Sequence, residues 1–134
     1  GGIVSEKILN TFNIGILNCH AGILPHYRGM DVIEWPVLNG DMVNIGSTVH
    51  FMSKGVDEGE ILYACRVEKR FNILSLRMEL ESFSPYLQVK ALIDHLTGAI
   101  KVAPQQLSEG NNYYVMHPWL FNKSLEISNN SKVN

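Results

Sequence analysis

A short apolar run, Ile14-Gly15-Ile16-Leu17, leads directly into the polar group Asn18-Cys19-His20. That pattern predicts a buried strand over 14–18 that delivers an amide and an imidazole to its end. Residues two apart point to one face of a strand, so Asn18 and His20 can address the same small polar atom, such as a carbonyl oxygen. Upstream, Ser5 is placed to cap a helix over 6–12, with Glu6 in the first turn where a carboxylate suits the dipole. Downstream, Gly22, Pro25 and Gly29 punctuate a loop over 19–29. Asp31 is placed to cap a helix reaching about Leu38 and stopping at Asn39-Gly40, with Pro36 marking a kink or a short first turn. The β-rich stretch 45–52, the glycine-containing loop 53–59 and the alternation of Ile61, Tyr63, Cys65 and Val67 read as an antiparallel hairpin. Leu76, Leu80, Phe83, Leu87 and Ala91 recur at three- and four-residue steps and predict a helix over 74–96. Pro85 interrupts it, with Ser84 as an N-cap, giving two abutting helices or one kinked helix. His95 near the end of that helix suits a solvated position on the dipole. Beyond Gly98 the pattern is irregular; a short strand is predicted over 113–115, and the Asn- and Ser-rich stretch 124–134 reads as frayed.

Composition narrows the class. The chain has 134 residues, enough for one domain but short for an α/β enzyme, and its 46% hydrophobic content calls for a single core. A formal charge of −2 offers no broad basic field and disfavours nucleic acid as the main partner. Arg28 or Lys69-Arg70 could still hold a phosphate locally. The two cysteines, Cys19 and Cys65, lack disulfide or zinc spacing and read as reduced, buried thiols. With no signal peptide and no apolar run of about 18 residues, a cytoplasmic protein without a membrane span is expected. Gly1-Gly2-Ile3-Val4, with no initiator Met, reads like a strand end or turn inside a larger domain.

A second polar cluster supplies the carboxylate that the first lacks. It runs from Val49-His50-Phe51 through Gly55-Val56-Asp57-Glu58-Gly59. Taken alone, Asn18 and His20 fit a loop hydrogen-bonding pair, and Asp57 between glycines fits a turn. Together, an amide, an imidazole and a carboxylate at strand ends fit acyl transfer. Such chemistry needs a donor for a developing oxyanion and an acceptor for a proton.

Asn18-x-His20, Leu24-Pro25, Tyr27-Arg28-Gly29, Gly46-Ser47-Thr48-Val49-His50-Phe51 and the run from Gly55 to Leu62 follow in order. This series resembles the catalytic half of the 10-formyltetrahydrofolate-dependent formyltransferases, which act on glycinamide ribonucleotide, methionyl-tRNA or sugar nucleotides. The resemblance is close over 1–61 and weaker to Leu120; Ala21 departs from the family's usual proline. It implies an α/β, Rossmann-like fold whose N-terminal strands have no counterpart here, with 1–120 as the catalytic portion and 121–134 as a polar tail. It also implies that Asn18, His20 and Asp57 are catalytic, with His50 in support. His20, beside the carboxylate, would then be charged. Ile3, Val4 and Val56 would border the pocket for the formyl donor, 10-formyltetrahydrofolate, and no metal is required. Arg28, Gly29 and Trp119 are candidates for contact with the acceptor; Trp35 and Trp119 otherwise read as packing residues. The expected reaction is transfer of a formyl group to a primary amine, with an amino sugar on a nucleotide as first choice. Purine-precursor and methionyl-tRNA acceptors, hydrolysis of the formyl donor, a zinc or iron site made by His20, His50 and Asp57, and an inactive fragment are the alternatives. An oligomer is compatible with the sequence.

Overall fold

The computed structural model describes residues 4–67 and 72–130. Its centre is a three-stranded antiparallel sheet in the order β1 (Leu17–His20), β3 (Gly46–Phe51), β4 (Ile61–Arg66). The β3–β4 pair is the hairpin expected from the alternation, with an irregularity in register between Val49 and His50. Strand β1 begins three residues later than the apolar run predicts. Gly15 sits at φ +97°, in the left-handed region that an extended ladder cannot accommodate, so pairing starts only beyond it.

A second, two-stranded parallel sheet joins β2 (Tyr27–Gly29) to β5 (Asn111–Tyr113). It lies inside what reads from sequence as loop. Strand β5 ends where the predicted 113–115 strand begins. Gly29 permits the pairing: at φ +93° it has no Cβ, and one placed there would stand 2.2 Å from the Tyr113 carbonyl oxygen.

Among the described residues four α-helices, α1 (Glu6–Leu9), α2 (Glu34–Asn39), α3 (Ile73–Leu96) and α4 (Pro118–Asn130), and two short 3-10 helices at Met42–Asn44 and Leu107–Glu109 accompany the strands. Ser5 precedes α1, but its hydroxyl makes no capping bond. Helix α2 starts at Glu34 rather than after Asp31, because the Asp31 carboxylate accepts from the Met116 amide at 2.7 Å. Pro36 then falls in the first turn, where its missing N–H costs no intrahelical bond. Helix α3 is one continuous element running through Pro85, capped by Asn72, whose side chain accepts from the Leu74 and Ser75 amides. His95 is half-buried rather than solvated, with its ring edge-on to Phe51 at 5.3 Å. No helix among the described residues is long and apolar enough to cross a membrane.

The strongest departure lies at the C-terminal end. Of the stretch expected to fray, Ser124 to Asn130 belong to α4, with Ser124 and Ser128 buried and Leu125 and Ile127 packed on the core of Ile33, Val37, Ile45, Ile73 and Leu76; 131–134 lie outside the described residues. Ser124 is tolerated there because its hydroxyl donates back to the Phe121 carbonyl at 2.7 Å. A polar composition therefore conceals an apolar stripe. The cysteines also depart from expectation: both are free, Cys65 is exposed and Cys19 only half-buried.

Candidate active site

The strand period sorts β1 and β3 into two faces. Leu17, Cys19, Val49 and Phe51 turn to the core that α3 closes with Leu87 and Ala91. Asn18, His20, Thr48 and His50 alternate with them and point the other way. Asn18 stands directly across from His50, and His20 across from Thr48. Thr48, fully buried, fixes the loop after β1 by accepting from the Leu24 amide and donating to the Gly22 carbonyl. The cavity on this polar face has a volume of about 460 Å³.

Asp57 enters from the loop between β3 and β4. Its backbone is at φ +55°, a conformation that Asp adopts more readily than most residues. The carboxylate bridges three groups: Oδ2 lies 3.4 Å from His20 Nδ1 and accepts from the Gly29 amide at 3.0 Å, and Oδ1 lies 3.5 Å from His50 Nε2. Asn18, His20, His50 and Asp57 thus converge on one side of the cavity. Val4, Val56 and Gly29 line it too, while Ile3 and Lys69-Arg70 lie outside the described residues.

The neighbours decide where the protons sit. Carbonyl oxygens only accept, so His20 donates from Nε2 to Tyr27 O at 2.8 Å, and His50 donates from Nδ1 to Phe51 O at 2.8 Å. His50 Nε2 is then the acceptor for the Asn18 amide at 3.2 Å. That bond uses one Asn18 N–H and leaves the second without a partner among the described residues. On His20 the remaining nitrogen, Nδ1, faces Asp57 and is a lone pair unless the ring takes a second proton.

Burial pushes the His20 pKa below the ordinary 6.5; Asp57 and the Tyr27 carbonyl pull it back, His50 opposes them, and the net direction is down. At 6% exposure desolvation thus outweighs the pull of the neighbouring carboxylate toward the charged imidazole. Asp57 behaves oppositely. Burial raises its pKa, but the His50 and His20 imidazoles and the Gly29 amide outweigh that and hold it below 3.8.

These directions carry a stability prediction. Between the lowered value of folded His20 and 6.5, the unfolded chain binds the extra proton, so unfolding free energy rises with pH across that window and falls as acid is added. Urea unfolding at about pH 7.5 and about pH 5.5 should show a shallower pH dependence in His20→Gln than in the parent chain. Equal dependence in both would remove His20 as the cause.

Two residues proposed for the acceptor stand elsewhere. Arg28 is buried outside the cavity, and its guanidinium donates to the carbonyls of Pro25, Leu107 and Gly110 at 3.3, 3.2 and 3.3 Å. It is neither a solvated charge nor presented to a phosphate; it ties the loop before β2 to the segment before β5. Trp119 is 68% exposed and lines no part of the cavity. Trp35 does pack, stacking near Tyr113 at 5.2 Å and donating to the Tyr114 carbonyl at 3.1 Å. The cavity's lining beyond the Asn18, His20, His50 and Asp57 cluster instead includes Met30, Asn112, Tyr113 and Tyr114. Only the paired tyrosines stand out in the sequence as a signal for that part of the lining. Among the described residues no group of three His, Cys, Asp or Glu side chains is arranged to hold a metal ion.

Known proteins share this arrangement of chain. The fold matches the formyltransferase PseJ from Anoxybacillus kamchatkensis at a TM-score of 0.71 and 23% identity, over 86% of this chain and 60% of that one. It matches a 4-N formyltransferase from Francisella tularensis at a TM-score of 0.72 and 20% identity, over 95% of this chain and 57% of that one. In sequence, the methionyl-tRNA formyltransferase of Borrelia garinii is 36% identical over 115 residues, which is 81% of this chain and 35% of that protein. The polymyxin resistance protein ArnA of Wigglesworthia glossinidia brevipalpis is 37% identical over 92 residues, 67% of this chain and 14% of that protein. The chain thus spans about a third or less of these curated relatives. Residues 1–79 match the family described as formyl transferase, and on that match, carrying the Asn18, His20 and Asp57 cluster, the chain belongs to the formyl transferase family.

Proposed function

We propose that the protein carrying this chain transfers a formyl group from 10-formyltetrahydrofolate to a primary amine. The observation that carries this reading is the convergence of Asn18, His20 and Asp57 on one cavity, with their protonation fixed by the surrounding carbonyls. The amine nitrogen attacks the formyl carbon, and the formyl oxygen becomes an oxyanion. The second N–H of Asn18 is the donor available to that oxygen without any proton uptake, an interaction of the kind worth about 3 kcal/mol in a preorganised site. As the carbon–nitrogen bond forms, the ammonium proton passes to the His20–Asp57 pair. Nδ1 of His20 is the lone pair that receives it, and the Asp57 carboxylate stabilises the imidazolium that results. Collapse breaks the bond to N10 of the folate, and the pair returns the proton there, leaving an N-formyl amine and tetrahydrofolate. His50 acts through Asn18 by fixing which way its amide faces. Val4 and Val56 border the formyl donor, and Met30, Asn112 and Tyr114 face the acceptor.

An amino sugar on a nucleotide is the preferred acceptor. Support comes from the net charge of −2, which offers no field for a polyanion, and from solved relatives described as sugar N-formyltransferases. Methionyl-tRNA is the second reading, favoured by the sequence relatives that carry that name. The test supplies 10-formyltetrahydrofolate with a nucleotide-linked amino sugar, with methionyl-tRNA, or with no amine, and follows tetrahydrofolate release. Release that requires the amino sugar is expected. Release at one rate whether or not an amine is present would make the protein a hydrolase and overturn the proposal.

A further inference from the structure

The segment between α3 and β5 carries no α-helix or named strand, only a short 3-10 turn at Leu107–Glu109, yet it is fastened to the sheet upstream of that turn. Ala103 and Ile61 exchange both backbone hydrogen bonds, each at 2.8 Å, so this segment runs antiparallel to the start of β4. Two residues on, the Gln105 side chain reaches the turn that presents Asp57. Its Nε2 donates to the Asp57 carbonyl at 2.9 Å and to the Gly59 carbonyl at 2.6 Å. Both partners are acceptors only, which fixes the amide orientation and leaves Oε1 buried without a partner among the described residues. A buried unpaired oxygen is a cost that a purely packing residue would not carry.

We propose that Gln105 is a positioning residue for the formyl-transfer site, clamping the Asp57 turn so that the carboxylate meets His20. The turn needs such a clamp. Asp57 holds a left-handed backbone, and among the described residues its carboxylate has only the Gly29 amide as a hydrogen-bond donor from the main chain. Gln105 grips the turn from the other side by its backbone, at the residue itself and two residues beyond. The Ala103–Ile61 bridge sets the distance from which it does so. No substrate contact is assigned to Gln105; it acts through Asp57. The role rests on the formyl-transfer reading of this cavity, while its test is independent of turnover.

The groups facing the His20 ring are the Asp57 carboxylate, the Tyr27 carbonyl and the His50 ring, 6.4 Å away between centroids. Removing the clamp lets Asp57 withdraw, so the His20 titration should move to lower pH. NMR titration of the His20 ring in Gln105→Met, which keeps length and burial but has no N–H, should shift in the same direction as in Asp57→Asn and by a comparable amount. A Gln105→Met chain that stays folded and titrates like the parent overturns the proposal. A second measurement needs no variant. Both Gln105 side-chain amide protons in the parent chain should exchange with solvent far more slowly than those of Gln88. Exchange at the Gln88 rate would overturn it even if Gln105→Met failed to fold. Failure of the amine-dependence assay with the expected His20 shift intact would remove the proposed acceptor chemistry and leave the clamp standing.

Discussion

His20→Ala is expected to slow formyl transfer about 100-fold or more, with much of the loss in kcat. The lone pair on His20 Nδ1 faces the Asp57 carboxylate, 3.4 Å from Oδ2, so the two groups can share a proton taken from the amine. His20 Nε2 is committed to Tyr27 O, so the ring cannot rotate to compensate for a misplaced partner without breaking a 2.8 Å bond inside the protein. Alanine removes the proton acceptor and leaves Asp57 to take up the amine proton alone. That carboxylate is a weak base, because its neighbours hold its pKa below 3.8. Asp57→Ala should cost a similar factor for the complementary reason: His20 would remain neutral in a buried site with nothing to stabilise its charged form. Because the two act as one unit, the double variant should be little slower than the worse single variant. Steady-state rates of the three variants with saturating amine check this. Near-normal rates in either single variant would remove the proton-transfer pair from the mechanism.

Arg77→Met is expected to lower unfolding free energy by about 3 kcal/mol, a large part of the roughly 5–15 kcal/mol typical of a domain. Glu34, in the first turn of α2, is 0% exposed, and its Oε2 has no partner among the described residues. Arg77 from α3 donates to Glu34 Oε1 at 2.5 Å and lies 3.7 Å from Asp31 Oδ1. Deleting the guanidinium leaves a carboxylate in the core with neither countercharge nor donor. The cost arises from that stranded charge rather than from the worth of the pair, so Arg77→Met combined with Glu34→Gln should recover much of the stability. Urea unfolding of the parent, the single and the double variant measures both effects. A loss under about 1 kcal/mol in Arg77→Met, the range of exposed ion pairs, would show that Glu34 is not isolated from water.

The polar cluster of Asn18, His20, His50 and Asp57 is legible in the sequence because strand periodicity and turn chemistry are local properties. Asn18 and His20 two apart, the β3–β4 hairpin and the glycines around Asp57 all follow from neighbours along the chain. The family resemblance joined them in one site. What stayed hidden depends on partners far away in sequence. Arg28 looks like a contact for a phosphate or the acceptor until Leu107 and Gly110 supply its carbonyls. Asp31 looks like a helix cap until the Met116 amide claims it. The α4 serines look like a frayed end until the core they face is present. The protonation of His20 was misjudged for the same kind of reason. The charge beside it is visible in the sequence, whereas the depth at which it is buried is not.

The two sheets close over very different stretches of chain. Asn18 meets His50 across 32 positions and Gly29 meets Asp57 across 28, whereas Arg28 reaches Gly110 across 82. Loop-closure entropy grows with the length of chain enclosed, so contacts within the β1–β3–β4 meander form at lower entropic cost than the β2–β5 clasp. The sheet that carries Asn18, His20 and His50 is therefore expected to close before the tyrosine-bearing wall is laid over it.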